Sequence, residues 1–236
     1  MAIYEYTARI RYSEIGPDSK LTLAALLDLF QNCSSFQSED LGIGVEYHHN
    51  IDRAWVLNSW QIVINKLPTF CDEVRVQTWS CGVKMAIGYR NYRMLDMDGN
   101  TLAAANSLWA FIDTKKLVPV RCPEHEIELY QSDDPLALEP MPRKITVPDE
   151  MEILDSFEIK SYFIDTNNHV NNVKYVQVAT DYIPSSFNYS TVRAEYKKSA
   201  LLHDIIVPRR KIEDNCITVT LSDTNGNIYA TIQFIR

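Results

Sequence analysis

The sequence predicts an α+β protein made of two similar halves, each an antiparallel sheet with one helix. Apolar and polar residues alternate along many short stretches, as in half-buried strands, while helical spacing occurs once in each half. The order of these elements in the first half returns in the second, which indicates an internal duplication. A chain of 236 residues, 46% of them apolar, buries enough surface to fold without a metal or disulfide.

The first half begins with a strand and a helix. Residues 3–13 alternate and predict a strand, and Leu23 to Cys33 form a stripe at i, i+3, i+4, i+7 spacing. Thr22 is a plausible N-cap of this helix and Gly42 its stop. Runs rich in β-branched and aromatic residues then predict four strands, at 55–66, 73–81, 85–95 and 101–112. Asp98-Gly99 predicts a hairpin turn between the last two strands.

A proline-rich, acidic segment separates the two halves. Six of the ten prolines fall between residues 119 and 148. Because proline cannot donate to a central sheet ladder, we predict an extended linker that lies over the surface. The predicted domains are therefore residues 1–118 and 151–236, joined by a linker at 119–150.

The second half repeats the plan of the first. A strand is predicted near residues 157–163, then a polar turn, and then a helix at about 172–183 that Pro184 ends. Four more strands are predicted, near 191–199, 205–212, 216–221 and 228–235. The last hairpin, residues 223–227, resembles residues 96–100 of the first half.

One helix for each five-stranded antiparallel sheet favours a sheet curled around its helix, the hotdog arrangement. The apolar content of residues 21–41 suits a helix that is largely buried. An open α+β sandwich, with each helix on one face of its sheet, has the same periodicity and remains an alternative. We expect two tandem hotdog domains, each an antiparallel sheet wrapped around one long helix.

Charge and cysteine content exclude several classes of function. The formal net charge of −8 argues against a general nucleic-acid binder and against electrostatic attachment to an anionic membrane. The five cysteines are widely spread without a C-x-x-C pair, which indicates reduced thiols and no zinc site. No apolar run approaches the ~18 residues of a membrane span, and Met1–Tyr4 does not resemble a leader segment. We therefore expect a cytoplasmic protein.

The segment from Asp165 to Tyr175 carries the groups that are suited to chemistry. Asp165, Asn167 and His169 precede a predicted helix whose natural N-cap is Asn171. A helix N-terminus stabilises developing negative charge, so the amides of Val170 and Asn171 are predicted to bind substrate or an oxyanion. A carboxylate activates water or attacks, while a histidine or an amide orients it or donates to the leaving group. The alternative is a loop whose side chains satisfy backbone donors, as in Asx turns.

The same segment resembles a known family. Asn167-x-His169-Val170-Asn171-Asn172-Val173-Lys174-Tyr175 is similar to the active-site segment of acyl-acyl-carrier-protein (acyl-ACP) thioesterases, tandem-hotdog enzymes of plant plastids and many bacteria. Single-hotdog acyl-CoA thioesterases carry a related Asp-x-x-Gly-His-Val-Asn-Asn-x-x-Tyr. Asn168 stands in place of that glycine and Asn167 is present, and both points favour the acyl-ACP branch. The resemblance also covers the first-half helix and three shorter runs, Trp55-Val56-Leu57, Thr78-Trp79 and Glu195-Tyr196-Lys197-Lys198.

This resemblance implies a fatty acyl-ACP hydrolase of fatty acid biosynthesis, with Asp165, Asn167 and His169 as catalytic residues. The partner would be an acyl carrier protein with a bound acyl chain, and no cofactor or metal is needed. An acyl-CoA thioesterase on the same scaffold and a non-catalytic acyl-binding protein remain as alternatives. A tandem hotdog already contains the sheet pairing that single hotdogs obtain by dimerising, so both a monomer and a homodimer are allowed.

One position departs from the family pattern. The family usually places a glutamate after Tyr-(Arg/Lys)-(Arg/Lys), where this chain has Ser199 followed by Ala200. Serine is no base at neutral pH without its own activator, so an acidic role is missing there. Glu195 shares the strand face of Ser199 but lies ~13 Å away along a strand, too far for a simple substitution. Three explanations are open: the family glutamate is auxiliary, another group replaces it in this chain, or this chain is a slow or inactive homologue. We favour the first.

Two further clusters have alternative interpretations. His48-His49 suggests metal binding, but no other ligand accompanies the pair, so a solvated loop is favoured. Arg209-Arg210-Lys211 is either a solvated strand or turn, or a docking site for an acyl carrier protein, with Lys197 and Lys198 contributing. Because acyl carrier proteins are strongly acidic, a chain of negative net charge needs a local basic patch to bind one.

Overall fold

The structure is a computed structural model and describes residues 3–236. Met1 and Ala2, with which the predicted first domain and the expected leaderless N-terminus begin, lie outside the described residues. Two compact units are present: one contains the residues up to Asn58 and Ile62–Glu139, and the other contains Ser59–Gln61 and Pro140–Arg236. The domain boundaries at 118 and 151 stay a prediction.

The first unit is an antiparallel sheet with one long helix. Its elements are β1 (Tyr4–Arg9), α1 (Leu23–Asp40), α2 (Val45–Asn50), β2 (Arg53–Ile64), β3 (Glu73–Lys84), β4 (Ile87–Leu95), β5 (Thr101–Asp113), β6 (Val118–Pro119) and α3 (Glu124–Tyr130). The strands β1, β3, β4 and β5 pair antiparallel in that spatial order, and β6 pairs with the end of β5. The predicted strands of the first half are therefore confirmed.

Helix α1 begins and ends at the residues that the sequence indicates. Thr22 Oγ1 accepts a hydrogen bond from the backbone N–H of Ala25 at 3.2 Å, and Gly42, with φ +73°, follows the last turn. The buried stripe of α1 packs on the sheet, where the rings of Phe30 and Tyr92 lie 5.3 Å apart. Burial of each large apolar side chain of this stripe stabilises the fold by roughly 1.5–3 kcal/mol.

The second unit has the same plan with a shorter helix. Its elements are β7 (Glu152–Ile153), β8 (Phe157–Glu158), α4 (Asn172–Thr180), β9 (Thr191–Tyr196), β10 (Ile205–Ile212), β11 (Cys216–Ser222) and β12 (Ile228–Ile235). The spatial order is β9-β12-β11-β10-β7, all antiparallel, and β8 also pairs with β10. The strand predicted at 157–163 is only two residues long, because a 3₁₀ turn at Ser161–Phe163 interrupts it.

The internal duplication extends to individual hydrogen bonds. In each hairpin an aspartate, Asp96 or Asp223, accepts a 2.8 Å hydrogen bond from the amide four residues on, and the turn glycine has a positive φ. The loop before each helix also matches. Gly16 N–H donates to Lys20 O at 2.8 Å, as Asp165 N–H does to His169 O at 2.8 Å.

Two predictions need correction. The linker is not extended throughout, because residues 124–130 form α3, in which Glu126 and Tyr130 are buried. The solvated-loop interpretation of His48-His49 is wrong for His48, which is buried in α2 with Nε2 3.1 Å from Glu126 Oε2. A buried carboxylate is costly without such a partner, so the contact between His48 and Glu126 joins α3 to α2.

Within residues 3–236, no helix combines the length and apolar character needed to cross a membrane.

Candidate functional site

The sequence-predicted site residues lie in one short, tightly closed loop of the second unit. The loop runs from Asp165 to Val170, between the 3₁₀ turn at Ser161–Phe163 and α4. Asp165 N–H donates to His169 O at 2.8 Å, Asn168 N–H donates to Asp165 O at 3.1 Å, and Asn168 adopts φ +60°. These bonds bring the backbones of Asp165 and His169 side by side.

The two carboxylate oxygens of Asp165 have different surroundings. Oδ1 accepts hydrogen bonds from the backbone N–H groups of Asn167 at 2.8 Å and His169 at 3.3 Å. This is the Asx turn expected if the loop's side chains only satisfy backbone donors. Oδ2 receives no hydrogen bond from any residue between 3 and 236. One oxygen is therefore structural and the other is available to a ligand.

The loop conformation does not require a carboxylate at the position of Asp165. Its first-half counterpart has glycine, Gly16, where the second half has Asp165, and yet closes with the same backbone hydrogen bond and a left-handed residue, Ser19, three positions on. The isolated bridge between Ile15 and Leu21 likewise repeats the bridge between Ile164 and Val170. In the first half Asp18 Oδ1 accepts the equivalent amide, that of Lys20, at 3.2 Å, so the loop forms with no carboxylate at its first position.

Asn167 and His169 present unengaged polar groups beside this carboxylate. Asn167 is exposed and His169 is half-buried. Among residues 3–236, neither side chain has a hydrogen-bond or ion-pair partner, although both backbone amides are held by Asp165. Because buried or structural polar groups are normally paired, an amide and an imidazole without partners are suited to contact a substrate.

The amides at the start of α4 differ from the prediction. Asn171 caps the helix as expected, since its Oδ1 accepts the N–H of Val173 at 2.8 Å. However, Val170 N–H donates to Ala200 O at 3.0 Å and Asn171 N–H donates to Phe163 O at 2.9 Å, so neither is available to an oxyanion. This corrects the predicted donors. Within the described part of the chain, Asn172 N–H is the first-turn amide without an acceptor.

The segment that contains Ser199 is hydrogen-bonded to the same loop. The carbonyl of Ala200 accepts the hydrogen bond from Val170, and its N–H donates to the hydroxyl of Tyr175 at 2.8 Å. Ser199 itself is exposed. Tyr175 is buried in α4, and burial raises its pKa to about 12, so the hydroxyl stays neutral at physiological pH. The sequence analysis did not single out Tyr175, although it is the last residue of the family-like motif.

The side chain of Glu195 forms a hydrogen bond outside the candidate site. Its Oε2 accepts the backbone N–H of Ile145 at 2.9 Å, which joins the segment before β7 to β9. The structure therefore gives no support to Glu195 as a replacement for the family glutamate.

The two basic clusters differ in their exposure and in the partners of their charged groups. Arg210 forms a 2.6 Å ion pair with Glu152 and donates to the carbonyl of Tyr182, so Arg209-Arg210-Lys211 is partly neutralised. A surface depression that includes part of this cluster is lined by residues 149–152 and 210–212, none of which belongs to the Asp165–Val170 loop. Lys197 and Lys198 are exposed next to Ser199, with Lys198 Nζ 3.8 Å from Asp223.

The cysteines are poor nucleophiles. Burial raises the pKa of Cys33 and Cys122 to about 12 and that of Cys81 to about 11, which keeps these thiols protonated at neutral pH. In the part of the chain that the structure describes, no three His, Cys, Asp or Glu side chains converge as metal ligands would.

Family comparisons cover almost the whole chain. The model of the acyl-ACP thioesterase N-terminal domain matches residues 2–130, and that of the C-terminal domain matches residues 147–233. A palmitoyl-acyl carrier protein thioesterase of Cuphea hookeriana is 27% identical over 188 residues, which cover 74% of this chain and 45% of that protein. A palmitoyl-acyl carrier protein thioesterase of Gossypium hirsutum is 24% identical over 233 residues, covering 90% of this chain and 56% of the relative. The chain thus spans about half the length of these relatives.

Two solved structures share the fold. An acyl-ACP thioesterase from Bacteroides thetaiotaomicron superposes with a TM-score of 0.90 at 22% identity, covering 99% of this chain and 97% of that one. The 12:0-ACP thioesterase from Umbellularia californica superposes with a TM-score of 0.88 at 20% identity, covering 100% and 97%. These superpositions confirm the predicted tandem hotdog fold and exclude the open sandwich.

Proposed function

This chain belongs to the acyl-ACP thioesterase family, a family of hydrolases, and we propose that it hydrolyses fatty acyl-ACP to free fatty acid and carrier protein. The observation that carries the proposal is the Asp165–Val170 loop. It presents a carboxylate oxygen, an amide and an imidazole without partners, at the start of a helix. Its counterpart in the first unit has the same conformation but carries Gly16, Asp18 and Lys20 instead.

The proposed chemistry assigns one role to each group. Oδ2 of Asp165 attacks the thioester carbonyl or removes a proton from the attacking water, and both roles require the ionised carboxylate. Asn172 N–H, at the positive end of α4, stabilises the oxyanion that forms on the carbonyl oxygen. His169 donates a proton to the departing thiolate, and Asn167 orients the attacking group. When Asp165 acts as the base, water forms the new C–O bond as the C–S bond breaks. When Asp165 attacks, the C–S bond breaks as a mixed anhydride with Asp165 forms, and water then cleaves this anhydride to free acid and restores the carboxylate. In both routes the carrier leaves as a thiol.

Thiol release from acyl-ACPs of several chain lengths, measured beside the matching acyl-CoAs, tests the proposal. We expect faster turnover with the carrier-bound substrates. Comparable or better turnover with acyl-CoA identifies the second candidate, an acyl-CoA thioesterase that uses the same loop. Binding of acyl thioesters without release of thiol identifies the third candidate, a non-catalytic acyl-binding protein, which Ser199 favours.

His169→Ala tests the role proposed for the imidazole of the Asp165–Val170 loop. We expect a loss of turnover comparable to or smaller than that of Asp165→Asn, because the variant removes the imidazole that is proposed to donate a proton to the departing thiolate. An unchanged rate would make His169 a structural residue.

We also propose fatty acid biosynthesis as the setting and the cytoplasm as the compartment. The plant relatives are described as chloroplastic. Fluorescence of a tagged chain in its own cell tests the compartment.

A further inference from the structure

The second unit exposes an apolar patch beside the candidate catalytic loop. The patch consists of Tyr162, Leu201, Leu202 and Ile205, with exposed fractions of 71%, 49%, 44% and 40%. Contiguous exposed apolar surface is typical of interaction sites, whereas isolated apolar side chains are ordinary, so the backbone segments that carry these four residues are compared next.

The patch lies on two adjoining segments. Ile159 N–H donates to Asp204 O at 2.9 Å, His203 N–H donates to Ile159 O at 3.1 Å, and Ile205 pairs with Glu158. Both segments also reach the catalytic loop, since Phe163 O accepts Asn171 N–H and Ala200 O accepts Val170 N–H. The two segments that carry the patch are therefore joined directly to the loop by backbone hydrogen bonds.

A lysine pair borders the patch. Lys197 and Lys198 are exposed, and both backbone amides donate to Tyr229 O, at 2.8 and 3.4 Å, which fixes this corner. Within residues 3–236, Lys197 has no ion-pair partner, whereas Lys198 is also 3.8 Å from Asp223. The chain as a whole carries a net charge of −8, and the lysine pair is a local positive charge on this acidic protein.

We propose that the apolar patch and the lysine pair form the surface on which the acyl carrier protein docks. This inference rests on the proposed function, because a carrier must bring its thioester to the loop that the patch borders. An apolar centre with a charged rim is the usual anatomy of a protein interface, and a cationic edge complements an acidic carrier. Lys197 and Lys198 are exposed, whereas all three residues of the alternative basic cluster, Arg209-Arg210-Lys211, are only half-exposed.

The test measures binding of fluorescently labelled holo-acyl carrier protein by anisotropy, which does not depend on hydrolysis. We expect the double variants Lys197→Glu/Lys198→Glu and Leu201→Ser/Leu202→Ser each to weaken binding roughly tenfold. All four side chains are exposed, so the melting temperature should stay unchanged. Added salt should weaken binding to the wild type more than to the lysine variant.

The first unit provides matched controls. Lys66 and Phe70 are exposed at the positions that correspond to Lys198 and Leu202 in the duplicated backbone, beside the loop that contains Gly16. Lys66→Glu and Phe70→Ser should leave carrier binding unchanged. Turnover of an acyl-N-acetylcysteamine thioester, which has no carrier, should be the same in all variants.

Other outcomes overturn the docking surface. Equal losses in the control variants, or none in the patch variants, place the carrier elsewhere. No binding of carrier to the wild type also overturns it, and hydrolysis of acyl-CoA in that case preserves the thioesterase function. A change in sedimentation of the leucine variant would show that a second copy of the chain covers the patch.

Discussion

Asp165 is bound to its own loop through Oδ1 and leaves Oδ2 without a hydrogen-bond partner among the described residues. Asp165→Asn keeps an oxygen that can accept both backbone hydrogen bonds but removes the charge. We expect turnover to fall by roughly 10²–10⁴ while the melting temperature is retained. Thiol release and thermal unfolding of the same preparation measure the two effects.

Asp18→Asn is the matched control for this variant. Asp18 Oδ1 accepts the backbone N–H of Lys20 at 3.2 Å, so it has a similar local role in the first-unit loop, without the groups proposed for catalysis. Its turnover should equal that of the wild type. Activity above a tenth of wild type in Asp165→Asn would remove Asp165 from the mechanism.

Ser199→Glu restores the carboxylate that the family usually has at this position. Ser199 is exposed, and its neighbour Ala200 is held to the loop and to Tyr175, so the new charge stays in water. We expect a change in the free energy of unfolding within about 0.5 kcal/mol, and turnover that rises or is unchanged. Lower turnover in a variant that is as stable as wild type would show that no catalytic position is vacant there.

Two tyrosine hydroxyls connect helix α4 to the strand β9 and the segment after it. One accepts a hydrogen bond and the other donates one. Ala200 N–H is buried and donates to Tyr175, whereas Tyr196 donates at 3.0 Å to Asn172 O, a carbonyl in the first turn of a helix. Tyr175→Phe leaves a buried donor without a partner, which costs about 1–3 kcal/mol. Tyr196→Phe should cost less, because helical carbonyls already accept an intrahelical bond. Urea unfolding measures both, and equal losses would contradict this difference.

The hairpin that joins β11 to β12 depends on an ionised aspartate. Hydrogen bonds from the side chain of Asn227, and then from backbone amides, hold the pKa of Asp223 below its ordinary 3.8. A lowered pKa in the folded state means that the stabilisation is present above pH 3.8 and is lost as pH falls through the folded value. The stability gap between wild type and Asp223→Asn should therefore shrink on acidification from pH 6 to pH 3.

Asp98→Asn is the control for this pH effect, because the Asp98 side chain has no hydrogen bond among the described residues. Its stability difference from wild type should not change over the same pH range. A gap for Asp223→Asn that stays constant down to pH 3 would refute the assigned role of the carboxylate.

The segment that follows α3 is attached to the first-unit sheet at some positions and not at others. Trp79 Nε1 donates to Asp134 O at 2.9 Å and Leu136 N–H donates to Asn91 Oδ1 at 2.8 Å, while residues 137–141 have no regular structure. Limited proteolysis with a non-specific protease should therefore cut first within 137–141. Mass spectrometry of the first fragments tests this, and a first cut within β1–β5 or β9–β12 would contradict the two-domain division.

Local patterns determined most of the fold from sequence. The alternating strands other than the one predicted at 157–163, the N-caps Thr22 and Asn171, and the hairpins at Asp96 and Asp223 are confirmed. Each of these features depends on residues within a few positions of one another, so their spacing in the sequence is enough to predict them. The grouping of Asp165, Asn167 and His169 in one loop follows for the same reason.

Only the tertiary structure decided which polar groups are paired. The amide of Val170 is unavailable because it donates to Ala200 O in a distant segment. His48 is buried against Glu126, which lies 78 residues further along the chain. The sequence by itself determined where a carboxylate, an amide, an imidazole and a helix start would meet. It did not determine which donors stay free, because a hydrogen bond between distant residues depends on how the sheet brings them together, and no local periodicity records that.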